Sequence, residues 1–127
     1  MIKTVSLKTA KLLKEAGFPQ ETALFYRVDE FGNVFERNAN EDPLKMQKVL
    51  GTNIYYAKPT IDELLEELPE SLIQDGYLAM MKIIRTPSKE YFVTYQSSRE
   101  DRGTVENESL PEALAQMWLW LKKEKLI

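Results

Sequence analysis

Two periods of apolar residues run along this chain, one near 3.6 and one near 2, and they divide it into helices and strands. Ile2, Val5, Leu12, Leu13 and Ala16 fall on one side of a helical wheel with Thr9 among them, and Lys8, Lys11 and Lys14 occupy the other. Gly17 suits a left-handed cap and Pro19 prevents resumption. Thr22 to Val28 is rich in β-formers, and Asp29 to Asn33 supplies turn chemistry before Val34 to Arg37, which predicts a hairpin. Asn38 to Asn53 is polar, and a helical turn is expected around Leu44 to Leu50. Ile54 to Ala57 reads as a short strand.

Pro59 then opens a second helix. Thr60 and Glu63 have capping-box spacing, Ile61, Leu64, Leu65 and Leu68 form the buried stripe, and Pro69 ends it. Ser71 to Gln74, the turn pair Asp75-Gly76, Tyr77 to Thr86 and Glu90 to Gln96 predict an antiparallel meander. Ser97 to Glu108 has Val105 as its lone aliphatic residue and is expected to be a solvated loop. Ser109 and Glu112 repeat the capping-box spacing. Leu110, Ala113, Leu114, Met117, Trp118 and Leu121 then recur at i, i+3, i+4, i+7, i+8 and i+11, so this helix should cover a sheet. The expected fold is α+β: an antiparallel sheet, made of a hairpin plus a three-stranded meander, packed by about three helices in the order α-ββ-β-α-βββ-α. A chain of 127 residues without a repeat or a long linker should form one domain, residues 1–127.

Composition narrows the chemistry. The chain has no cysteine and no histidine, which removes disulfides, thiolate metal sites, thiol nucleophiles and the imidazole base of a Ser-His-Asp triad. The five glycines stand far apart, so no phosphate-binding loop or dinucleotide fingerprint exists and no cofactor is expected. Asp62, Glu63, Glu66, Glu67 and Glu70 crowd one helix, but they face away from its apolar stripe and match no EF-hand loop, so they are read as a solvated face. No apolar run approaches the roughly 20 residues of a membrane span. Met1 to Lys8 is interrupted by lysines and lacks the apolar stretch of a signal peptide, and a cytoplasmic location is expected. The net charge of −3 weighs against bulk affinity for polyanions.

Lys11 to Phe18, Tyr55 to Pro69 and Glu112 to Lys123, in this order, resemble a family of small bacteriophage- and prophage-encoded proteins of unknown function. The residues that carry the resemblance are mainly caps and apolar stripes. What it implies is a phage or prophage setting inside a bacterial host.

Leu119 lies opposite the Leu114-Met117-Leu121 stripe, near Ala115, and Trp120 flanks that stripe. Ala115, Leu119 and Trp120 are therefore the candidate partner face, since a helix apolar on two sides can be sandwiched and Trp is enriched at protein contacts. The leading expectation is a non-enzymatic phage or prophage accessory protein that acts through protein contacts, with a host or phage protein or with a second copy as a homodimer. A second reading is a single-stranded nucleic-acid binder using Phe25, Tyr26, Tyr91, Phe92 and Tyr95 with the α-helical lysines. The acidic balance makes nucleic acid the less expected partner. A third is an enzyme built on carboxylates. Trp118→Ala should lower stability by roughly 3–5 kcal/mol in equilibrium denaturation if that ring fills the helix-sheet interface, and a change within about 0.5 kcal/mol would place it on the surface.

Overall fold

The computed structural model describes residues 4–42, 53–74, 76–97 and 101–127. Helix α1 (Leu7–Glu15) begins at Ser6, whose hydroxyl accepts the Thr9 N–H, and ends where Gly17 adopts φ +91° and the Phe18 N–H bonds the Leu13 carbonyl. Strands β1 (Leu24–Val28), β2 (Val34–Asn38) and β3 (Ile54–Ala57) form one antiparallel sheet in the order β2-β1-β3. Asp29 closes the β1–β2 turn by accepting the N–H groups of Phe31 and Asn33. The helical turn expected around Leu44 to Leu50 lies outside the described residues, as does Ile2.

Helix α2 (Ile61–Glu67) carries the expected capping box. The Glu63 carboxylate accepts the Thr60 N–H through one oxygen and the Ala23 N–H through the other, so the cap also ties α2 to the start of β1. A second sheet follows as a meander of β4 (Ser71–Gln74), β5 (Tyr77–Arg85), β6 (Tyr91–Gln96) and β7 (Asp101–Asn107), in that spatial order. The α+β class and the expected order of elements hold, but the strands divide into two sheets. One strand is added. The stretch expected to be a solvated loop contains β7, which pairs with β6 from Tyr91↔Asn107 to Gln96↔Asp101 through an irregularity between Val93 and Tyr95. Polar composition hid this strand because only its inward positions need apolar cover. Gly103 sits there at φ +62°, and a Cβ on it would lie 2.6 Å from the Trp120 ring.

Helix α3 (Leu110–Lys123) packs against β6 and β7 of the second sheet and against α1 and α2. Ala113, Leu114, Ala115, Met117, Trp118 and Leu121 are all buried, an arc of roughly 200° at 100° per residue. Phe18, just past the α1 cap, meets the Trp118 ring edge-on at 5.0 Å. Contact with α3 also sets which face of α1 turns inward. Thr9, Ala10 and Leu13 are buried there, whereas Leu12, expected in the buried stripe, is 45% exposed.

The second expected capping box does not form. The Ser109 hydroxyl makes no capping bond, its N–H is taken by Asn107 Oδ1, and the Glu112 carboxylate reaches α1 instead. There it accepts the Ser6 N–H and, at 2.6 Å, the Thr9 hydroxyl. A carboxylate at the start of α3 thus caps a neighbouring helix. Two phenols add further ties: Tyr26 donates to the Val5 carbonyl at 2.6 Å and Tyr95 to the Pro69 carbonyl at 2.7 Å. Arg27 and the buried Asp42 pair at 3.4 Å, with the guanidinium over the Phe35 ring.

Three substitutions separate these roles in equilibrium denaturation. Glu112→Ala should cost about 1.5–3 kcal/mol, since it removes hydrogen bonds to a charged acceptor that join two helices. Thr60→Ala should cost about 1 kcal/mol. Ser109→Ala should stay within about 0.5 kcal/mol, because that hydroxyl caps nothing.

Burial pushes the Tyr95 hydroxyl up to about 12. The unfolded chain would lose that proton near pH 10, so the neutral phenol's contribution is intact below about pH 10 and is lost as pH climbs toward 12. Denaturation midpoints measured from pH 8 to 12 should fall above about pH 10. The fall should be shallower in Tyr95→Phe, which starts about 1 kcal/mol lower at neutral pH.

Candidate interaction surface

Alternation in β5 gives the second sheet two apolar faces. Ala79, Met81 and Ile83 point toward the helices together with their cross-strand partners Leu72, Tyr95 and Val93. Leu78, Met80, Lys82 and Ile84 point the opposite way, beside Ile73 on β4 and Phe92 and Gln96 on β6. On this outer face Ile73 is 79% exposed, Leu78 54%, Met80 52% and Ile84 40%, with Phe92 half-buried. Ile73 lies opposite Leu78 with Met80 next along the same face, and Ile84 lies opposite Phe92, so the face carries two apolar groups with Lys82 and Thr94 between them. Clustered exposed apolar side chains on one sheet face mark a contact site more strongly than single exposed aliphatics do.

Polar groups stand among the apolar ones. Lys82 is exposed and its Nζ donates to Gln96 Oε1 at 3.2 Å. Thr94, also on this face, is buried under hydrogen bonds from its hydroxyl to the Arg102 carbonyl and with the Thr104 hydroxyl. Toward the β6–β7 end the face becomes acidic. The hydrogen bond with the Glu106 carboxyl and the charges of Glu106 and Glu108 raise the Glu90 carboxyl above the usual range.

Around the corner, an open cleft of about 570 Å³ is lined by Arg85, Ser88, Lys89, Tyr91, Glu108 and Ser109. The Arg85 guanidinium sits 5.7 Å from the centre of the Tyr91 ring. The Glu108 carboxylate shares the cleft with both cations, so its field is mixed.

The candidate partner face read from the sequence is placed differently. Ala115 is fully buried, and Leu119 and Trp120 are half-buried against the core. The Trp120 ring is seated on Gly103 of β7. The helix is sandwiched, as its two apolar sides imply, but α1 and α2 of the same chain supply the second layer. The aromatic residues proposed as stacking platforms also divide. Phe25, Tyr26 and Tyr95 are buried, and Tyr91 and Phe92 are half-buried. Lys11 and Lys14 lie over the Tyr56 ring, and Lys14 Nζ donates to the Tyr55 carbonyl at 2.8 Å. On α2, Glu63 spends both oxygens on backbone N–H groups while Asp62, Glu66 and Glu67 face solvent. Among the described residues, no group of three or more potential ligands is placed to hold a metal ion, and no helix is long and apolar enough to cross a membrane.

Comparison with protein families, with curated proteins and with solved structures finds no match to this chain.

The outer face was legible in principle. Leu78-Ala79-Met80-Met81 and Ile83-Ile84 make β5 apolar at consecutive positions, the pattern of a strand covered on both sides. Only the fold reveals that one of those sides has no cover among the described residues.

Proposed function

We propose that this protein is a non-enzymatic accessory protein that acts by binding another protein, with the outer face of the second sheet as its contact surface. The observation that carries this reading is the row of Ile73, Leu78, Met80, Ile84 and Phe92, apolar side chains left on a sheet face that a folded monomer has no need to make apolar. A central apolar patch with Lys82 and Gln96 within it and carboxylates at one end has the makeup of a non-obligate interface. Two of the tyrosines with raised pKa support a structural use of the core: the Tyr26 and Tyr95 hydroxyls each hold a backbone carbonyl. The sequence resemblance to phage and prophage proteins supplies the setting, a bacterial cytoplasm, and the partner class, a host or phage protein. The mode of action is occlusion or recruitment of that partner.

The test is affinity capture from infected or lysogenic cells, read by mass spectrometry, with nuclease treatment and with Leu78→Lys/Met80→Lys as the control chain. The expected outcome is a nuclease-resistant partner that the double variant fails to retain. Both positions face outward, so the variant's stability should stay within about 1 kcal/mol of the parent. Retention of the same partner by the double variant would remove the outer face from the mechanism. Loss of all binding on nuclease treatment would favour the single-stranded nucleic-acid reading.

A further inference from the structure

A sheet edge offers unpaired N–H and C=O groups, and among the described residues three of the four sheet edges carry features that hinder further pairing. On β3 the outward-directed Ala57 N–H donates to Gln20 Oε1 at 2.9 Å and the Tyr55 carbonyl accepts from Lys14 Nζ. The β2 edge carries Glu36 and Arg37, with Lys58 Nζ bound to Glu36. On β7 the ladder irregularity and Gly103 at φ +62° bend an edge that also bears Asp101, Arg102 and Glu106. The β4 edge has none of these devices. Ser71-Leu72-Ile73-Gln74 contains no charge, no proline and no bulge.

Its register shows what fits there. The Met81 N–H bonds the Glu70 carbonyl, so the bonded pairs with β5 alternate as Glu70–Met81, Leu72–Ala79 and Gln74–Tyr77. Ser71 and Ile73 therefore direct their N–H and C=O groups to the open edge. We propose that two copies of this chain pair β4 with β4 in antiparallel fashion, Ser71 opposite the second copy's Ile73 and Leu72 on the twofold axis, joining two four-stranded sheets into one of eight.

This register uses every edge-directed group of the strand: Ser71 and Ile73 each exchange two hydrogen bonds with the mate. Sliding the pairing by two residues in either direction sets Ile73 opposite Pro69, which has no N–H, or Ser71 opposite Asp75, beyond the end of β4. The side chains agree. Each exposed Ile73 lies beside a small Ser71, and the outer-face rows become Leu78, Ile73, Ser71 and Met80 across the two copies, so the apolar row of each protomer continues into the other. Charge also permits it, because the strand is neutral and antiparallel pairing holds the two Glu70 residues at opposite ends. Four residues a side cover less than the roughly 1,200 Å² typical of stable complexes, so the dimer dissociates on dilution.

The proposal deepens the protein-contact reading and rests on it for the use of the apolar side chains, yet its test reads the backbone register, which a partner on the outer face leaves unchanged. The chain has no cysteine, so single cysteines report geometry without background. Ser71→Cys and Ile73→Cys lie at exposed or half-exposed edge positions. Across the pair, position 71 of one copy and 73 of the other have Cα atoms about 5.5 Å apart, within disulfide range, whereas two copies of position 71 are separated by roughly 8–9 Å, beyond it. Equal amounts of the two variants in a glutathione redox buffer should yield mainly the mixed 71–73 dimer.

Sedimentation equilibrium of the parent chain from about 10 µM to 1 mM should show mass rising toward the dimer. Ile73→Pro should remain a monomer with its fold intact, because the N–H it removes serves no bond within the hairpin. Mixed and like-with-like cross-links in equal yield, or a parent chain that stays monomeric to 1 mM, would overturn the proposal. If Ile73→Pro does not fold, the cross-linking ratio and the parent's sedimentation decide alone. A monomeric chain whose outer face still captures a partner would sink the dimer and spare the protein-contact reading.

Discussion

Burial of the helix Leu110–Lys123 on more than half of its circumference is the constraint on which the remaining structure depends. An amphipathic helix at a protein surface needs one apolar stripe, but this one buries Ala115 and Trp118 as well as the Ala113-Leu114-Met117-Leu121 stripe. It therefore needs two layers around it, the second sheet on one side and the helices beginning at Leu7 and Ile61 on another. Alanines at 113 and 115 suit close approach of neighbouring backbones. The larger Trp118 reaches Phe18, just beyond the first helix. Glu112 fastens the same junction by accepting from Ser6 and Thr9.

That central layer explains why the chain has two small sheets. The sheet of Leu24–Val28, Val34–Asn38 and Ile54–Ala57 is joined to the core through the first helix, the Tyr26 phenol on the Val5 carbonyl and the Glu63 bond to Ala23. The second sheet covers the long helix directly. Each sheet then has one face turned away from the helices. On the second sheet that outer face is apolar, which links the way the core is built to the surface available for a partner.

The four sheet edges divide in the same manner. Lys14 takes the outward carbonyl of Tyr55 and Gln20 the outward N–H of Ala57, so Lys14 of the first helix serves the fold before it serves any ligand. Charge protects Val34–Asn38, and a bulge protects Asp101–Asn107. Ser71–Gln74, four residues long and neutral, has only its shortness to limit pairing.

Local signals in the sequence determined the α+β class, the three helices, the hairpin and the meander, because periodicity and turn residues act within a few positions of each other. Thr60 and Glu63 form their box for that reason. Where a residue had two possible partners, one local and one distant, only the tertiary structure decided. Glu112 has capping-box spacing from Ser109, yet it bonds the first helix because packing brings Ser6 and Thr9 within reach and Asn107 has taken the Ser109 N–H. Asp101–Asn107 is a strand because β6 offers a ladder and Trp120 a surface for Gly103, neither of which shows in a polar stretch read alone. Ala115, Leu119 and Trp120 looked like a face for another protein, but Ala115 is buried within the chain and Leu119 and Trp120 pack against the core, with the Trp120 ring on Gly103. The exposed row from Ile73 to Phe92 was written in β5 as apolar residues at consecutive positions, but sequence pattern records that a side chain is apolar and leaves open what covers it. Burial is a property of the assembled layers, and it is settled only when distant segments have met.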